Sequence, residues 1–167
     1  LARIWVIQAG EADGMLYAGG DPGCLFESED GGLTWTLNRG LWDHPTRPDW
    51  TPGGGGLCLH TIVPWPGDPD RLMVAISAVG VWLSDDRGAT WRYSNSGIVA
   101  GYAPEEARDA PLGYCVHNVR RAGGRPERLF MQFHGGVYRS DDAGATWIDV
   151  GDDTALPSDF GFPIAVD

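Results

Sequence analysis

Cysteine and histidine recur together at matching positions in two segments of this sequence. Both segments contain a C-x-H pattern, Cys58 with His60 and Cys115 with His117, and the second pattern follows the first by 57 residues. In an extended strand, residues two apart point to the same side. Together with His134, these imidazoles could bind a divalent metal ion or an anionic substrate, so His60, His117 and His134 are the candidate metal ligands. The alternative is that each His is a packing residue, hydrogen-bonded to a neighbouring strand.

Carboxylates are concentrated in long segments that are rich in Gly and Pro. Asp43, Glu105 and Asp109 are the candidate catalytic residues, because they could lie near the histidines at a bound ligand. Nothing in the sequence selects among them.

Aromatic and basic side chains accompany these carboxylates. Trp42, His44 and Trp50 lie in the first of the long segments, and Arg108 lies in the second. Exposed indole rings can stack on sugar faces, or they can pack a loop onto the fold. Both interpretations are open, and the four residues join the three histidines as candidate ligand-binding residues.

An eight-residue motif of the form S-x-D-x-G-x-T-W occurs three times at intervals of 56 residues. Its Asp can accept backbone hydrogen bonds in a hairpin turn, its Gly can adopt positive φ, and its Trp can be buried against a neighbouring sheet. Three equivalent copies favour a structural role over a catalytic one. The residues of this repeated motif are Ser28, Asp30, Gly32, Thr34, Trp35, Ser84, Asp86, Gly88, Thr90, Trp91, Ser140, Asp142, Gly144, Thr146 and Trp147.

Short apolar runs around each motif predict four antiparallel strands per repeat. The predicted first strands are Arg3–Gln8, Leu57–Val63 and Tyr114–Arg120. The predicted second strands are Met15–Gly19, Arg71–Ser77 and Arg128–Phe133. The third strands lead into the motif, and the fourth begin at its Trp. This is the pattern of an all-β protein made of β-propeller blades.

The predicted blades cover residues 1–40, 57–96 and 114–150, and residues 161–167 are predicted to begin a further blade. A propeller closes with about four to eight blades, so three blades predict a fragment whose remaining blades lie outside this sequence. The native N-terminus is also expected outside it, because the chain starts at Leu1 within a predicted strand.

The long segments connect one predicted blade to the next. Because strand direction alternates, these blade-to-blade crossings and the turns between second and third strands share one face of the propeller, and the repeated motif lies on the other. All four histidines are placed on the crossing face. Long loops in compact domains are usually functional, so this is the predicted ligand-binding face.

The repeated motif resembles the Asp-box of sialidases, sortilin-like receptors and other BNR-repeat proteins. Bacterial BNR-repeat proteins labelled glycosyl hydrolase or exo-α-sialidase are similar at Trp42–Pro45, Gly54–His60, Cys115–His117 and Gly136–Asp142. The resemblance implies a six- to eight-bladed propeller with structural Asp-box turns.

The same resemblance implies two classes of function. Sialidases use three arginines, an acid/base Asp and a Tyr activated by Glu, and an R-I-P segment announces the first arginine; here Arg3-Ile4-Trp5 departs from it. Xyloglucan-cleaving endoglucanases of this group use two carboxylates, and a glycosidase needs them about 5–10 Å apart, one with a raised pKa; the resemblance would take them from the candidate acids. The sortilin-like receptors and photosystem assembly propellers, by contrast, bind ligands without catalysis. We therefore expect a scaffold that binds a glycan or a protein at the propeller mouth, with a glycoside hydrolase as the alternative.

Charge and composition exclude several other partners. The net charge of −11 and the scattered arginines disfavour nucleic acid. The sequence contains no apolar run long enough to span a membrane and no signal peptide.

Three cysteines without C-x-x-C spacing favour free thiols, and with them a reducing compartment such as the cytoplasm. No cofactor is indicated apart from the divalent metal that the histidines could hold.

Overall fold

The computed structural model describes residues 1–108, 112–151 and 156–167, which form three four-stranded antiparallel sheets. In each sheet the strands lie side by side in chain order. The first sheet comprises β1 (Arg3–Ala9), β2 (Leu16–Asp21), β3 (Cys24–Ser28) and β4 (Thr36–Leu37). The second comprises β5 (Leu59–Trp65), β6 (Asp68–Ile76), β7 (Gly80–Ser84) and β8 (Arg92–Tyr93). The third comprises β9 (Val116–Arg121), β10 (Leu129–Phe133), β11 (Gly136–Ser140) and β12 (Ile148–Asp149).

The repeated motif forms the turn between the third and fourth strands of every sheet. In the second sheet, Asp86 Oδ1 accepts from the Thr90 backbone N–H at 2.8 Å, and its Oδ2 accepts from the Thr90 hydroxyl at 2.6 Å. The Gly88 N–H donates to Ser84 Oγ at 2.7 Å, and Gly88 has a φ of +79°. The other two turns repeat these bonds to within 0.1 Å. Each fourth strand begins one residue after the Trp.

In the second and third blades, the motif Trp joins the blade to the one before it. Trp91 is 6% exposed, and its Nε1–H donates to Asn38 Oδ1 of the first blade at 3.1 Å. Trp147 is 2% exposed, and its Nε1–H donates to the Ser94 carbonyl of the second blade at 2.8 Å. Trp35 of the first blade has no such neighbour among the described residues and is 37% exposed.

The hydrophobic core is divided into two clusters, each lying between neighbouring sheets. The first joins Leu25 and Leu59 to Trp82, and the second joins Met73 to Val116 and Phe133. All of these side chains are essentially inaccessible to solvent. Burial between sheets, with one face of each strand turned to each neighbour, explains the nearly continuous apolar sequence of β6 and β7.

The crossing between the first two blades contains short helices that the sequence analysis did not predict. The α-helix α1 (Arg39–Trp42) begins after Asn38, whose Oδ1 accepts from the Leu41 N–H at 2.8 Å. A 3-10 segment follows at Arg47–Asp49, and another lies at Glu105–Ala107 in the second crossing. The described helices are all too short to cross a lipid bilayer.

Residues 161–167, predicted to begin a further blade, carry no strand in the structure. They lie beside β9 instead: the Gly123 N–H donates to the Asp167 carbonyl at 3.1 Å, and His117 contacts Gly161 and Phe162. A strand needs a partner strand to pair with, so their assignment to a further blade stays a prediction.

Candidate functional site

The ends of the three first strands surround a cavity of about 440 Å³. It is lined by residues of β1, β5 and β9, together with parts of the first crossing, the β6–β7 turn and the C-terminal segment. These residues are Trp5, Gly55, Cys58, His60, Ser77, Val116, His117, Asn118, Phe162 and Pro163. We call this space the mouth cavity. No carboxylate or guanidinium group belongs to the lining that the described residues form.

Asn118 supplies a polar group in the lining of the mouth cavity. Its Oδ1 is buried and accepts no hydrogen bond from the described residues. A buried acceptor without a donor costs about 1–3 kcal/mol, so a ligand that turned the Asn118 amide towards the cavity and donated a hydrogen bond to it would recover that loss.

His60 lines the mouth cavity but has both ring nitrogens engaged. Its Nε2 lies 2.9 Å from the Val116 carbonyl, which can only accept, so Nε2 carries the proton. The Nδ1 lone pair faces the Thr61 hydroxyl at 2.9 Å. Burial lowers the pKa of His60 to about 4, so the ring is neutral at neutral pH. A metal ion would have to displace one of these bonds.

A second group of side chains lies beside the mouth cavity, where β9 begins and β10 turns into β11. The potential ligand atoms of Cys115, His117 and His134 all lie within 4.8 Å of one another. Cys115 Sγ is 3.5 Å from His117 Nε2, and His117 Nδ1 donates to the Gly161 carbonyl at 2.5 Å. We call these three residues the Cys-His-His cluster.

Aromatic rings surround the Cys-His-His cluster. Phe162 stacks on His117 with ring centroids 4.5 Å apart, and Phe160 lies edge-on to both cluster histidines. Tyr102 contacts His134 edge-on at 4.9 Å. Desolvation by these neighbours lowers the pKa of His117 and raises that of the Cys115 thiol.

The tryptophans of the first crossing lie away from the mouth cavity. Trp50 is 7% exposed and packs on Trp82 at 5.1 Å, while the Arg47 guanidinium lies over the rings of Trp42 and Trp50. His44 contacts the Trp82 ring edge-on at 4.7 Å. This crossing therefore packs against the second blade, and Trp42, His44 and Trp50 do not line the mouth cavity.

The two candidate acids among the described residues, Asp43 and Glu105, do not line the mouth cavity. Asp43 forms an exposed ion pair with Arg39 at 3.4 Å, and Glu105 is exposed at the start of a 3-10 segment. Arg108 Nε donates to the Ala103 carbonyl at 3.3 Å. Asp109 lies outside the described residues.

Sequence reasoning missed several residues of the site. Trp5 carries no signal beyond its departure from the R-I-P segment, Asn118 carries no motif, and Phe162 falls in the predicted start of a further blade. Cys115 has a signal, because the C-x-H pattern pairs it with His117, but the sequence predicts only histidines as metal ligands.

Three four-stranded sheets that pack face to face, with their first strands around a central cavity, define this chain as part of a β-propeller. No protein-family model and no curated protein sequence matches it. Solved structures do match, and those with the β-propeller fold include GH74 enzymes and YCF48.

The GH74 enzyme of Niastella koreensis superposes with a TM-score of 0.63 and 19% identity, over 89% of this chain and 21% of the enzyme. An ancestral GH74 enzyme gives a TM-score of 0.59 and 16% identity over 94% of this chain and 19% of its own. YCF48 bound to D1 peptide gives a TM-score of 0.58 and 17% identity, over 89% of this chain and 40% of YCF48. This chain therefore spans between about a fifth and two fifths of the length of these structures, and such distant likeness establishes the fold alone.

Proposed function

We propose that this chain forms part of an Asp-box β-propeller that binds an uncharged ligand in the mouth cavity without chemically altering it. The single observation that carries the proposal is the lining of the cavity. It combines aromatic rings, neutral imidazoles and an unpaired buried amide oxygen, and lacks charged groups in the described part of the chain.

The chemistry of the lining indicates the kind of ligand. Trp5 is 47% exposed and borders the cavity, so one face of its ring can stack on a sugar or on an apolar side chain. Asn118 Oδ1 can accept from a hydroxyl or an amide N–H. A neutral glycan and an uncharged protein segment both offer these groups. Among the fold neighbours, YCF48 was solved with a bound D1 peptide, whereas the GH74 proteins are enzymes.

Hydrolysis would require two carboxyl groups facing one bond. Neither Asp43 nor Glu105 lines the mouth cavity, and Asp43 is engaged by Arg39. A binding function needs only the groups that do line it, so it is favoured over a glycoside hydrolase.

The proposal predicts that Trp5→Ala weakens ligand binding while Trp42→Ala does not. Neutral gluco-oligosaccharides and uncharged peptides are titrated against the chain, with tryptophan fluorescence as the readout. Loss of one stacked ring should weaken the best ligand about tenfold. Trp42 is the matched control, because it removes an indole from the crossing rather than from the cavity.

Equal binding by wild type and Trp5→Ala would overturn the proposed site. Cleavage of an oligosaccharide during incubation, detected by chromatography of the products, would overturn the non-catalytic assignment and favour the hydrolase.

A further inference from the structure

We propose that Cys115, His117 and His134 bind one zinc ion at the mouth of the propeller. Thiolate sulfur and imidazole nitrogen are the ligands that zinc prefers, and catalytic-type zinc sites commonly have three protein ligands with a fourth position open. The sequence predicts His60 beside His117 and His134, whereas the structure brings Cys115 to these two histidines.

Distances within the Cys-His-His cluster suit a tetrahedral site. With Zn–S near 2.3 Å and Zn–N near 2.05 Å, the sulfur and nitrogen ligands of a tetrahedral zinc lie about 3.5 Å apart. The observed distance from Cys115 Sγ to His117 Nε2 is 3.5 Å. All three ligand atoms fall within 4.8 Å of one another, so small side-chain rotations would bring them onto one ion.

The tautomer of His117 leaves its Nε2 available to a metal. The Gly161 carbonyl can only accept, so Nδ1 carries the ring proton and the lone pair of Nε2 faces the cluster. In metal-binding histidines generally, the ring nitrogen that does not bind the metal donates to a carbonyl or carboxylate, and this bond orients the ring. No hydrogen bond engages the ring nitrogens of His134 within the described residues.

The second blade provides an internal comparison, because it repeats the C-x-H pattern without the same outcome. Its Ser77 N–H donates to the Cys58 carbonyl, as the His134 N–H donates to the Cys115 carbonyl, so Ser77 stands where His134 does. Cys58 Sγ donates to the Gly55 carbonyl at 3.2 Å, and both nitrogens of His60 are engaged. The second blade therefore lacks a third ligand, and its His60 has no ring nitrogen available to a metal.

The surroundings also favour a cation. The chain has a net charge of −11, which attracts cations at long range, and Phe160, Phe162 and Tyr102 limit the access of water to the cluster. Binding replaces the thiol proton of Cys115, which is released to solvent, and leaves one coordination position for water or a ligand. Zinc binding does not depend on the ligand proposed for the mouth cavity.

The test is equilibrium binding of zinc alone to the chain without a polyhistidine tag, with cobalt(II) as a spectroscopic probe. Wild type should bind one ion per chain, and its cobalt form should show a thiolate charge-transfer band in the near ultraviolet. His134→Ser, which installs the residue of the second blade, should weaken zinc binding by about a hundredfold or more, because loss of an outer-shell partner alone costs about 10- to 100-fold. Cys115→Ser should abolish the charge-transfer band.

Cys58→Ser is the matched control, since it makes the same substitution in the other C-x-H pattern and should bind zinc as wild type does. Thermal melts establish that each variant is folded. The proposal is overturned if wild type fails to bind zinc at millimolar concentration, if His134→Ser binds as tightly as wild type, or if Cys58→Ser loses as much affinity as Cys115→Ser.

Discussion

At the scale of single residues, the Asp of the repeated motif organises its turn through its charge. Asp30 accepts from the backbone and hydroxyl of Thr34 and from the Ser28 hydroxyl, and these bonds lower the pKa of Asp30 from 3.8 to about 2. All three bonds favour the ionised form. The folded-state pKa therefore lies below the unfolded value, so the contribution of Asp30 to stability is present above pH 3.8 and is lost as the pH falls towards 2.

The lowered pKa of Asp30 predicts how the stability of Asp30→Asn depends on pH. The variant should melt below wild type at pH 5, and the difference should shrink as the pH falls to about 2, because wild-type Asp30 then becomes protonated. Thermal melts by circular dichroism across this range measure it. Glu29→Gln in the same turn is the control, since its carboxylate forms none of the motif hydrogen bonds. A difference in melting temperature that stays constant with pH would contradict the prediction.

At the scale of elements, the start of each crossing is fitted closely to the motif of the next blade. A Cβ on Gly40 would overlap the carbonyl oxygens of Gly88 and Ala89, although Gly40 lies within α1. Asn38 strengthens the same junction, because its Oδ1 caps α1 and also accepts from Trp91. The short helix is therefore held in place by tertiary contact rather than by helix propensity.

Gly40→Ala should consequently destabilise the chain. In an isolated helix this change would stabilise by about 1 kcal/mol, but overlap with the backbone of the next blade should cost about 1–3 kcal/mol. Urea denaturation measures the free energy of unfolding. Gly54→Ala is the matched control, because a Cβ there meets open space, and it should leave stability unchanged or slightly raised. If Gly40→Ala were as stable as Gly54→Ala, the backbone of the next blade would have to move to accept the methyl group at little cost, and the prediction would be wrong.

At the scale of the whole molecule, the first blade exposes an apolar face. The equivalent face of the second and third blades is covered by the blade before it. Leu1, Ile4, Ile7 and Trp35 are between 37% and 72% exposed on this face, whereas Trp91 and Trp147 are buried by the preceding blade. An apolar depression of about 330 Å³ marks the same place. A neighbouring blade would complete it, and in the isolated chain a second copy is the available source of one.

We therefore predict that the isolated chain associates reversibly through this face. Ile7→Lys should shift the midpoint concentration of association upward by about 10- to 100-fold, the equivalent of losing one buried Ile side chain. Sedimentation velocity over a range of concentrations measures it. Leu33→Lys is the control, because Leu33 is 85% exposed in the motif turn and should leave the midpoint unchanged. A monomer at all concentrations, with a sharp melting transition, would refute the prediction.

The sequence by itself determined the blades, because their signals are local. The bonds that the Ser, Asp, Gly and Thr of the repeated motif make with one another join residues at most four positions apart, as from Asp86 to Thr90, so residue type and spacing suffice to predict the turn and the strands beside it. The glycan or protein ligand, the hydrolase alternative and the candidate acids remain beyond what local spacing can decide.

Only the tertiary structure decided the composition of the candidate site. The two C-x-H patterns are equivalent in sequence, but the Val116 carbonyl engages Nε2 of His60, whereas the Gly161 carbonyl engages Nδ1 of His117 and leaves its Nε2 facing Cys115. His134 arrives from a different strand connection. Every residue type has the same backbone carbonyl, so the sequence does not show which imidazole a carbonyl will engage. That depends on how the blades and the C-terminal segment pack, and it determines which histidine can bind a metal.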